Sequence, residues 1–465
     1  MLVNPPSPEP VKTPLLSFCH LAASLRAGGH EVAIVDGSAP FGPRDPQDIA
    51  RRADAFGAQL VGLHLKTLHV QPAYALAAAL RGRAPLVAGG PHATVCPDEP
   101  LAHGFDFGVR GEGEETLTEL ADAIDGKREL ADVASLTWRA ASGALRLNRS
   151  RGFLPDLDAL ASPMSALDLF DPAWYGASQI MPPSGLLSSR GCPAACTFCS
   201  NDVTGRKFRY RSAESVAAEV KTLRERFGQP GFTFFDDSFA VGARRVRELC
   251  AALRGQGGQV WWTCTAHPSH LDRATLVEMR DAGCAGIDIG MESADPNMLV
   301  RIGKGVTVER VLQVLRDCAE LGIHCIVNLM FGWPDETDAE LDATIAFLDG
   351  AVGLAGGFNA RGVVVPYPAT EIYERNHRRF GFTDWWLKEP PLDYLPFPTS
   401  WDEAEIRRCY ADDPALGRNF FRHPPERVRR IGEALAKKAE VTISAVARRA
   451  RESAGAPGVP AAGAR

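Results

Sequence analysis

Three cysteines fall within eight residues in the segment SSRGCPAACTFCSN: Cys192, Cys196 and Cys199. Thiolates are soft ligands, suited to zinc, copper(I) or iron–sulfur clusters. A structural zinc site takes four ligands, often as two CxxC-type pairs. Here three thiolates stand without a nearby histidine. A cubane cluster takes one ligand per iron, so three cysteines leave one iron open to an outside ligand. Pro193 and the small residues after it let the loop curl until the sulfurs converge. Phe198 stands just before the last cysteine, where a ring can pack beside a bound nucleoside. Three buried structural cysteines, or a redox pair, are the plainer alternative, and three thiols on one short strand-end loop fit it poorly.

The surrounding pattern supplies the frame for that loop. From Ser184 onward, strand candidates recur at Gly185–Ser188, Gly231–Phe235, Gln259–Thr263, Gly286–Gly290, Cys325–Phe331 and Gly362–Val365. Helices fill the gaps. Ser212 can cap one, another runs from Thr307 to Gly322, and Thr337 with Glu340 forms a capping-box pattern. Six βα units in one block predict a curved parallel barrel, complete or partial, with its chemistry at the carboxyl ends of the strands. The cysteine loop follows the first of those strands.

Strands and helices also alternate over residues 1–140. Short apolar runs at Leu2–Val3, Glu31–Val35, Leu60–Leu63, Leu86–Ala88 and Phe105–Val109 predict a five-stranded parallel sheet of the flavodoxin-like, doubly wound kind. Residues 141–183 are proline-bearing and read as a linker. After about residue 375 an aromatic, proline-rich stretch from Phe380 to Trp401 leads into helices near Glu403–Tyr410 and Pro425–Arg451. The tail 453–465 reads as disordered.

With 51 basic and 57 acidic residues the net charge is −6, which argues against a nucleic-acid surface. No apolar run is long enough for a membrane span, and the opening MLVNPPSPEP has no signal-peptide pattern. A cytoplasmic location is therefore expected. The eight scattered cysteines (Cys19, Cys96, Cys250, Cys264, Cys284, Cys318, Cys325 and Cys409) read as buried small hydrophobes.

The CxxxCxxC spacing after a first barrel strand resembles the radical S-adenosylmethionine superfamily. The resemblance implies a 4Fe-4S cluster on Cys192, Cys196 and Cys199, whose open iron chelates S-adenosylmethionine. It further implies cleavage of the sulfonium to a 5′-deoxyadenosyl radical, with electrons from an external donor of the flavodoxin or ferredoxin type. Other strand ends are similar to those of that superfamily. FTFFDDSF offers Asp236 and Asp237 to an ammonium or hydroxyl group, and IDIGMES puts Glu292 where the family contacts the ribose or amino group of S-adenosylmethionine. NLMFGWPDET and VVVPYPAT resemble the turns along the adenine, with Ala369 in place of the usual glycine. Arg211 and Lys304 lie in family-like strings and read as solvated charges. The Trp261–Trp262 pair reads as core packing, one ring inside the barrel and one outside.

The strings LVNPP, HEVAIVDG, VGLHLKT, LVAGGPHAT and GVRGEGEETLTEL resemble the cobalamin-binding domain found ahead of many radical enzymes. This implies cobalamin near Thr67, Gly89, Gly90, Gly111 and Glu112. The DxHxxG pattern that supplies a histidine to cobalt is absent, so His20, His64 and His69 read as ordinary polar residues. The expected architecture is α/β throughout. A flavodoxin-like cobalamin-binding domain (1–140) and a linker (141–183) precede a partial (β/α)6 TIM-type radical barrel (184–375), followed by a helical region (376–452). The expected activity is transfer of a methyl group from cobalamin to an unactivated carbon (or phosphorus) of a small molecule, of a natural-product kind. Cyclisation, ring contraction, deoxygenation or epimerisation with the same two domains is the alternative. No side chain is singled out as an acid, base or nucleophile.

Overall fold

In the computed structural model the described residues are 1–7, 13–176, 185–228, 231–256, 260–351, 353–359, 362–388 and 418–454. The helix expected near Glu403–Tyr410, Cys409, the aromatic stretch beyond Lys388 and the tail after Ala454 lie outside them.

The N-terminal sheet contains β1 (Leu2–Asn4), β2 (Ile34–Asp36), β3 (Val61–His64), β4 (Leu86–Gly89), β5 (Phe107–Val109), β6 (Leu136–Arg139) and β7 (Leu145–Leu147). Their order is β2-β1-β3-β4-β5-β6-β7. The first five are parallel, and β6 and β7 add an antiparallel hairpin at the edge. Strand direction of travel reverses between β1 and β3, the switch point where doubly wound sheets open a ligand crevice. The hairpin straddles residue 140, so the sheet runs on into the stretch read as linker. Its Leu145 and Leu147 are half-exposed, which is why no apolar run marks it.

Residues 163–175 of that stretch pack inward. Two 3-10 turns, Pro163–Leu169 and Pro172–Tyr175, each start with a proline behind a capping Ser162 or Asp171. They bury Met164, Leu167, Phe170, Trp174 and Tyr175. Tyr175 donates to Asp36 Oδ2 at 2.7 Å, and Asn4 donates to its Oδ1 at 2.8 Å. The prolines thus start short turns that seat apolar residues against the helix Leu16–Ala27.

The second sheet holds β8 (Gly185–Leu186), β11 (Gly231–Phe234), β12 (Trp261–Ala266), β13 (Cys284–Glu292), β14 (His324–Leu329) and β15 (Gly357–Phe358). All are parallel, in the order β15-β14-β13-β12-β11-β8. A two-stranded ribbon, β9 (Ser189–Arg190) with β10 (Arg209–Tyr210), stands beside it. The sixth strand lies earlier than the expected Gly362–Val365. That segment contributes only a bridge from Val363 to Phe331.

Alternation sorts the barrel residues. Phe232, Phe234, Trp262, Cys264, Ile287 and Val327 pack against the outer helices in one core. The intervening positions Thr233, Thr263, Asp288 and Asn328 are only part-buried and face the other way. Trp262 is fully buried, but Trp261 is 51% exposed, so core packing accounts for one tryptophan and not both.

The expected caps form: Ser212 accepts from Ser215 N, and Thr337 and Glu340 satisfy each other's backbone amides. Thr307 adds a further cap, accepting from Arg310 N. Six of the scattered cysteines are buried, and Cys96 is part-buried. The helix Pro425–Ala454 docks on the helix Asp338–Ala351 through Arg427, which pairs with Glu336 and Asp338. No described helix is long and apolar enough to cross a membrane.

Candidate functional site

The cysteine loop is closed by its own hydrogen bonds. Cys192 N donates to Gly205 O at 3.2 Å, Asn201 Nδ2 to Gly205 O at 2.6 Å, and Cys199 N to Cys196 O at 3.3 Å. Asp237 accepts from Gly191 N and Thr204 Oγ1, both at 2.8 Å. Gly191 takes φ +88, and a Cβ there would lie 2.4 Å from Lys207 O, so only glycine fits this entry to the loop. The far side rests on the segment after β13. Thr197 N donates to Ile302 O at 2.9 Å, and a Cβ on Gly303 would lie 2.8 Å from Ala195 O.

The three thiols share one electrostatic field. Burial, then Cys196 and Cys192, push Cys199 up to about 11. Burial also raises Cys196, with Glu292 and Cys192 adding and Lys304 opposing. Cationic iron would relieve that mutual repulsion, because metal binding favours the thiolate form. A single zinc with bonds of about 2.3 Å would hold its sulfurs within about 4 Å of one another. Among the described residues only His92, Cys96 and Glu99 bring ligand atoms within 4.8 Å of each other. The three cysteines are not such a set, and three thiolates without a fourth ligand suit a cubane with one open iron.

Lys304 lies behind the loop. Its Nζ donates to Glu292 Oε1 at 2.9 Å, and both side chains are under 10% exposed. Burial lowers the ammonium, but Glu292, Cys196 and Cys199 together hold it above its usual range. Glu292 ends β13 with φ +71, a conformation rare outside glycine. Its carboxylate and the Lys304 ammonium fold over Gly290, where a Cβ would meet them at 2.2 and 2.5 Å. The reading of Lys304 as a solvated charge is thus corrected. So is that of Arg211, which is 9% exposed and pairs with both oxygens of Glu219 at 2.7 Å. Glu219 lies eight residues on, inside the next helix, a pairing that helix spacing does not announce.

Asp236 has another occupation than the one expected. Its carboxylate accepts from the N and Oγ of both Ser188 and Ser189 at 2.5–3.1 Å, and from Arg245 at 3.4 Å. Five donors leave it no capacity for an ammonium or hydroxyl group. It pins the chain between β8 and β9 instead. Phe198 packs edge-on against Trp333, 5.4 Å between ring centres.

A cavity of about 370 Å³ lies between the carboxyl ends of the N-terminal sheet and the cysteine loop. Gly89, Gly90, Gly111, Glu112 and His64 form part of one wall, and Asn201, Thr204 and Asp237 part of the other. Leu2, Gly62 and Leu117 line both this cavity and a second of about 310 Å³. The second cavity is also lined by residues of the helices Leu16–Ala27 and Glu114–Ile124, and the glycines keep the wall of the first low. Gly90 has φ +99, and a Cβ there would lie 2.7 Å from His64 Nδ1.

Two expected cobalamin residues are engaged elsewhere. Thr67 Oγ1 bonds His92 Nδ1 at 3.1 Å, in a network that continues to Glu99, Tyr74 and Trp386. It does not line the cavity. Glu112 lines it, but its oxygens accept from Arg190 at 2.9 Å and from Arg209 at 2.7 and 3.0 Å. Arg190 also pairs with Glu114, and all four side chains are under 10% exposed. Sequence reading missed both arginines. Their only signal was position, since Arg190 stands two residues before Cys192.

Comparison with known proteins agrees with this arrangement. Residues 11–121 match the B12 binding domain family and residues 186–348 the Radical SAM superfamily. A relative from Pyrococcus horikoshii, named an uncharacterized methyltransferase, is 30% identical over 386 residues, 80% of this chain and 82% of its own. The cytidylyl-2-hydroxyethylphosphonate methyltransferase of Streptomyces wedmorensis is 26% identical over 85% of this chain and 84% of its own. The fold is similar to that of the radical S-adenosylmethionine methyltransferase TsrM of Kitasatospora setae, solved with cobalamin and a 4Fe-4S cluster. There the TM-score is 0.67 at 21% identity, over 95% of this chain and 88% of that one. This chain belongs to the cobalamin-dependent radical S-adenosylmethionine enzymes of the methyltransferase type, whose cofactors are a 4Fe-4S cluster, S-adenosylmethionine and cobalamin.

Proposed function

We propose that the enzyme places a methyl group on an unactivated carbon (or phosphorus) of a small molecule held between its two domains. The observation that carries this reading is the interdomain cavity, walled by the glycines of β4 and the GEGE loop on one side and by Arg190, Ser200, Asn201 and Thr204, which flank the three cysteines, on the other. Cys192, Cys196 and Cys199 would hold the cluster. Glu292, fixed by Lys304, would accept from the ribose or amino group of S-adenosylmethionine, and Phe198 would flank its nucleoside. Gly89, Gly90 and Gly111 would face the corrin. When bound, the cluster supplies the electron that cleaves S-adenosylmethionine, and cobalamin carries the methyl group.

The protein's own work is placement and exclusion of water. Asp236 and Asp237 hold the two ends of the strand-to-loop turn. The Arg190–Glu112 pair ties that turn to the N-terminal sheet. Fixing two cofactors about one substrate converts encounters into an intramolecular geometry.

The test is anaerobic reconstitution with iron, sulfide and cobalamin, followed by methyl-labelled S-adenosylmethionine. Labelled methyl on cobalamin, and product masses raised by one labelled methyl, support the reading. Formation of 5′-deoxyadenosine with a product of unchanged carbon count would favour cyclisation, ring contraction, deoxygenation or epimerisation instead.

A further inference from the structure

The helix Leu16–Ala27 runs beside the interdomain cavity and presents Ser17, Phe18, His20 and Leu21 to it. His20 is 4% exposed, and neither of its ring nitrogens has a hydrogen-bond partner. Among the described residues it is the only imidazole with both nitrogens in that state. The contrast with other buried histidines is sharp. His92 bonds Thr67 and Glu99, and His267 bonds Ser269 and the carbonyl of Lys304. A buried donor and a buried acceptor left unmade cost their full desolvation. A leucine or phenylalanine would fill the same place on this helix without that cost.

The charge state of the ring narrows what it recognises. Burial first, then Arg190 and Arg211 on the barrel side, hold His20 well below the usual histidine range. A neutral imidazole offers one N–H donor and one lone pair. The charged groups on the wall near it are already matched: Arg190 with Glu112 and Glu114, and Arg211 with Glu219. The other lining residues are apolar or neutral polar, Phe18, Leu21 and Leu187 beside Ser17, Ser200 and Asn201, apart from Asp237, which already accepts from Gly191 and Thr204. Such a wall suits a neutral polar group rather than a phosphate or an ammonium.

We infer that His20 is a cobalamin-recognition residue, pairing its two ring nitrogens with the carboxamide side chains on the edge of the corrin. A primary amide carries both a donor and an acceptor, the complement of a neutral imidazole. The inference rests on cobalamin entering this cavity, and it adds a contact that the glycine-lined wall cannot supply.

The experiment titrates hydroxocobalamin into cobalamin-free protein purified anaerobically with its cluster intact. Wild type, His20→Phe and His20→Gln are compared, with binding followed by absorbance and equilibrium dialysis. His20→Phe is expected to weaken binding at least tenfold, about 1.4 kcal/mol. His20→Gln should restore part of the loss. The ligand-free thermal midpoint of His20→Phe should be unchanged or raised, because an unpartnered polar ring has been removed. Equal affinity of wild type and His20→Phe overturns the role of His20 alone, whereas failure of the wild type to bind overturns the cobalamin cavity itself. The cobalt(II) electron paramagnetic spectrum separates the remaining case. Nitrogen splitting lost in His20→Phe would make the residue a cobalt ligand and overturn the amide assignment.

Discussion

Arg190 Nη1 lies 2.9 Å from Glu112 Oε1, and the two residues belong to different sheets. Arg190 ends β9 next to the cysteine loop, while Glu112 precedes the helix Glu114–Ile124 on the cobalamin side. Arg209, from the paired strand β10, reaches the same carboxylate. One buried carboxylate therefore bridges the two sheets at the cysteine loop.

Removing that carboxylate takes the ion partner from the buried Arg209 guanidinium and leaves Arg190 with Glu114 alone. Glu112→Ala is expected to destabilise the fold by roughly 3–5 kcal/mol, the range for breaking a buried pair. Glu112→Gln, which keeps an acceptor, should cost less. Denaturant unfolding of the two variants beside wild type checks this, and an unchanged midpoint for Glu112→Ala would refute the clamp.

Gly303 has φ +67, and a Cβ there would press on Ala195 O at 2.8 Å. Gly303→Ala should therefore cost more than about 1 kcal/mol locally and displace the cysteine loop. Reconstituted protein is expected to hold less iron than wild type while its far-ultraviolet circular dichroism stays the same. Full iron loading would show that the loop does not depend on this contact.

Lys304 fixes Glu292 by a buried ion pair at 2.9 Å. Lys304→Met and Glu292→Gln should each weaken S-adenosylmethionine binding by roughly ten- to a hundredfold, as expected for hydrogen bonds to charged groups. The iron content should remain. Equilibrium dialysis on cluster-loaded protein measures the effect, and wild-type affinity in both variants would remove Glu292 from the site.

Lys438, on the C-terminal helix, is fully buried with its Nζ 2.6 Å from Leu329 O, and desolvation lowers it to about 7. In the unfolded chain a lysine titrates near 10.4. Between those two values the unfolded state binds more protons than the folded one, so stability rises with pH across that window. Below it both states are protonated and the burial penalty is constant. The stability of wild type relative to Lys438→Met should therefore increase from pH 7 to pH 10. A pH-independent difference in denaturation midpoints would contradict the lowered value.

Much of this frame was legible from residue spacing. The cysteine trio and the caps at Ser212 and Thr337 rest on contacts within a few residues, and the five strands of the first sheet announce themselves as short apolar runs. What escaped was long-range. Asp236 looked like a ligand because sequence shows its position but not the serines 47 and 48 residues back that occupy it. Glu112 looked free because its arginines lie 78 and 97 residues away. Lys304 and Arg211 looked solvated because charges are, until a partner follows them inside. The hairpin β6–β7 escaped for the opposite reason: its second strand is exposed and carries no apolar alternation.

The inner face of the barrel carries three matched pairs. A Cβ on Gly231 would strike the ring of Trp261, one on Gly185 the ring of Phe235, and one on Gly356 the ring of His324. In each pair the bare backbone of one segment is the bed for a side chain from its neighbour. Trp261 and His324 each begin their strand, at the end of the sheet away from the cysteine loop. A larger residue in place of Gly231 or Gly356 would therefore disturb that far end and leave the carboxyl ends, where the cysteine loop sits, in place.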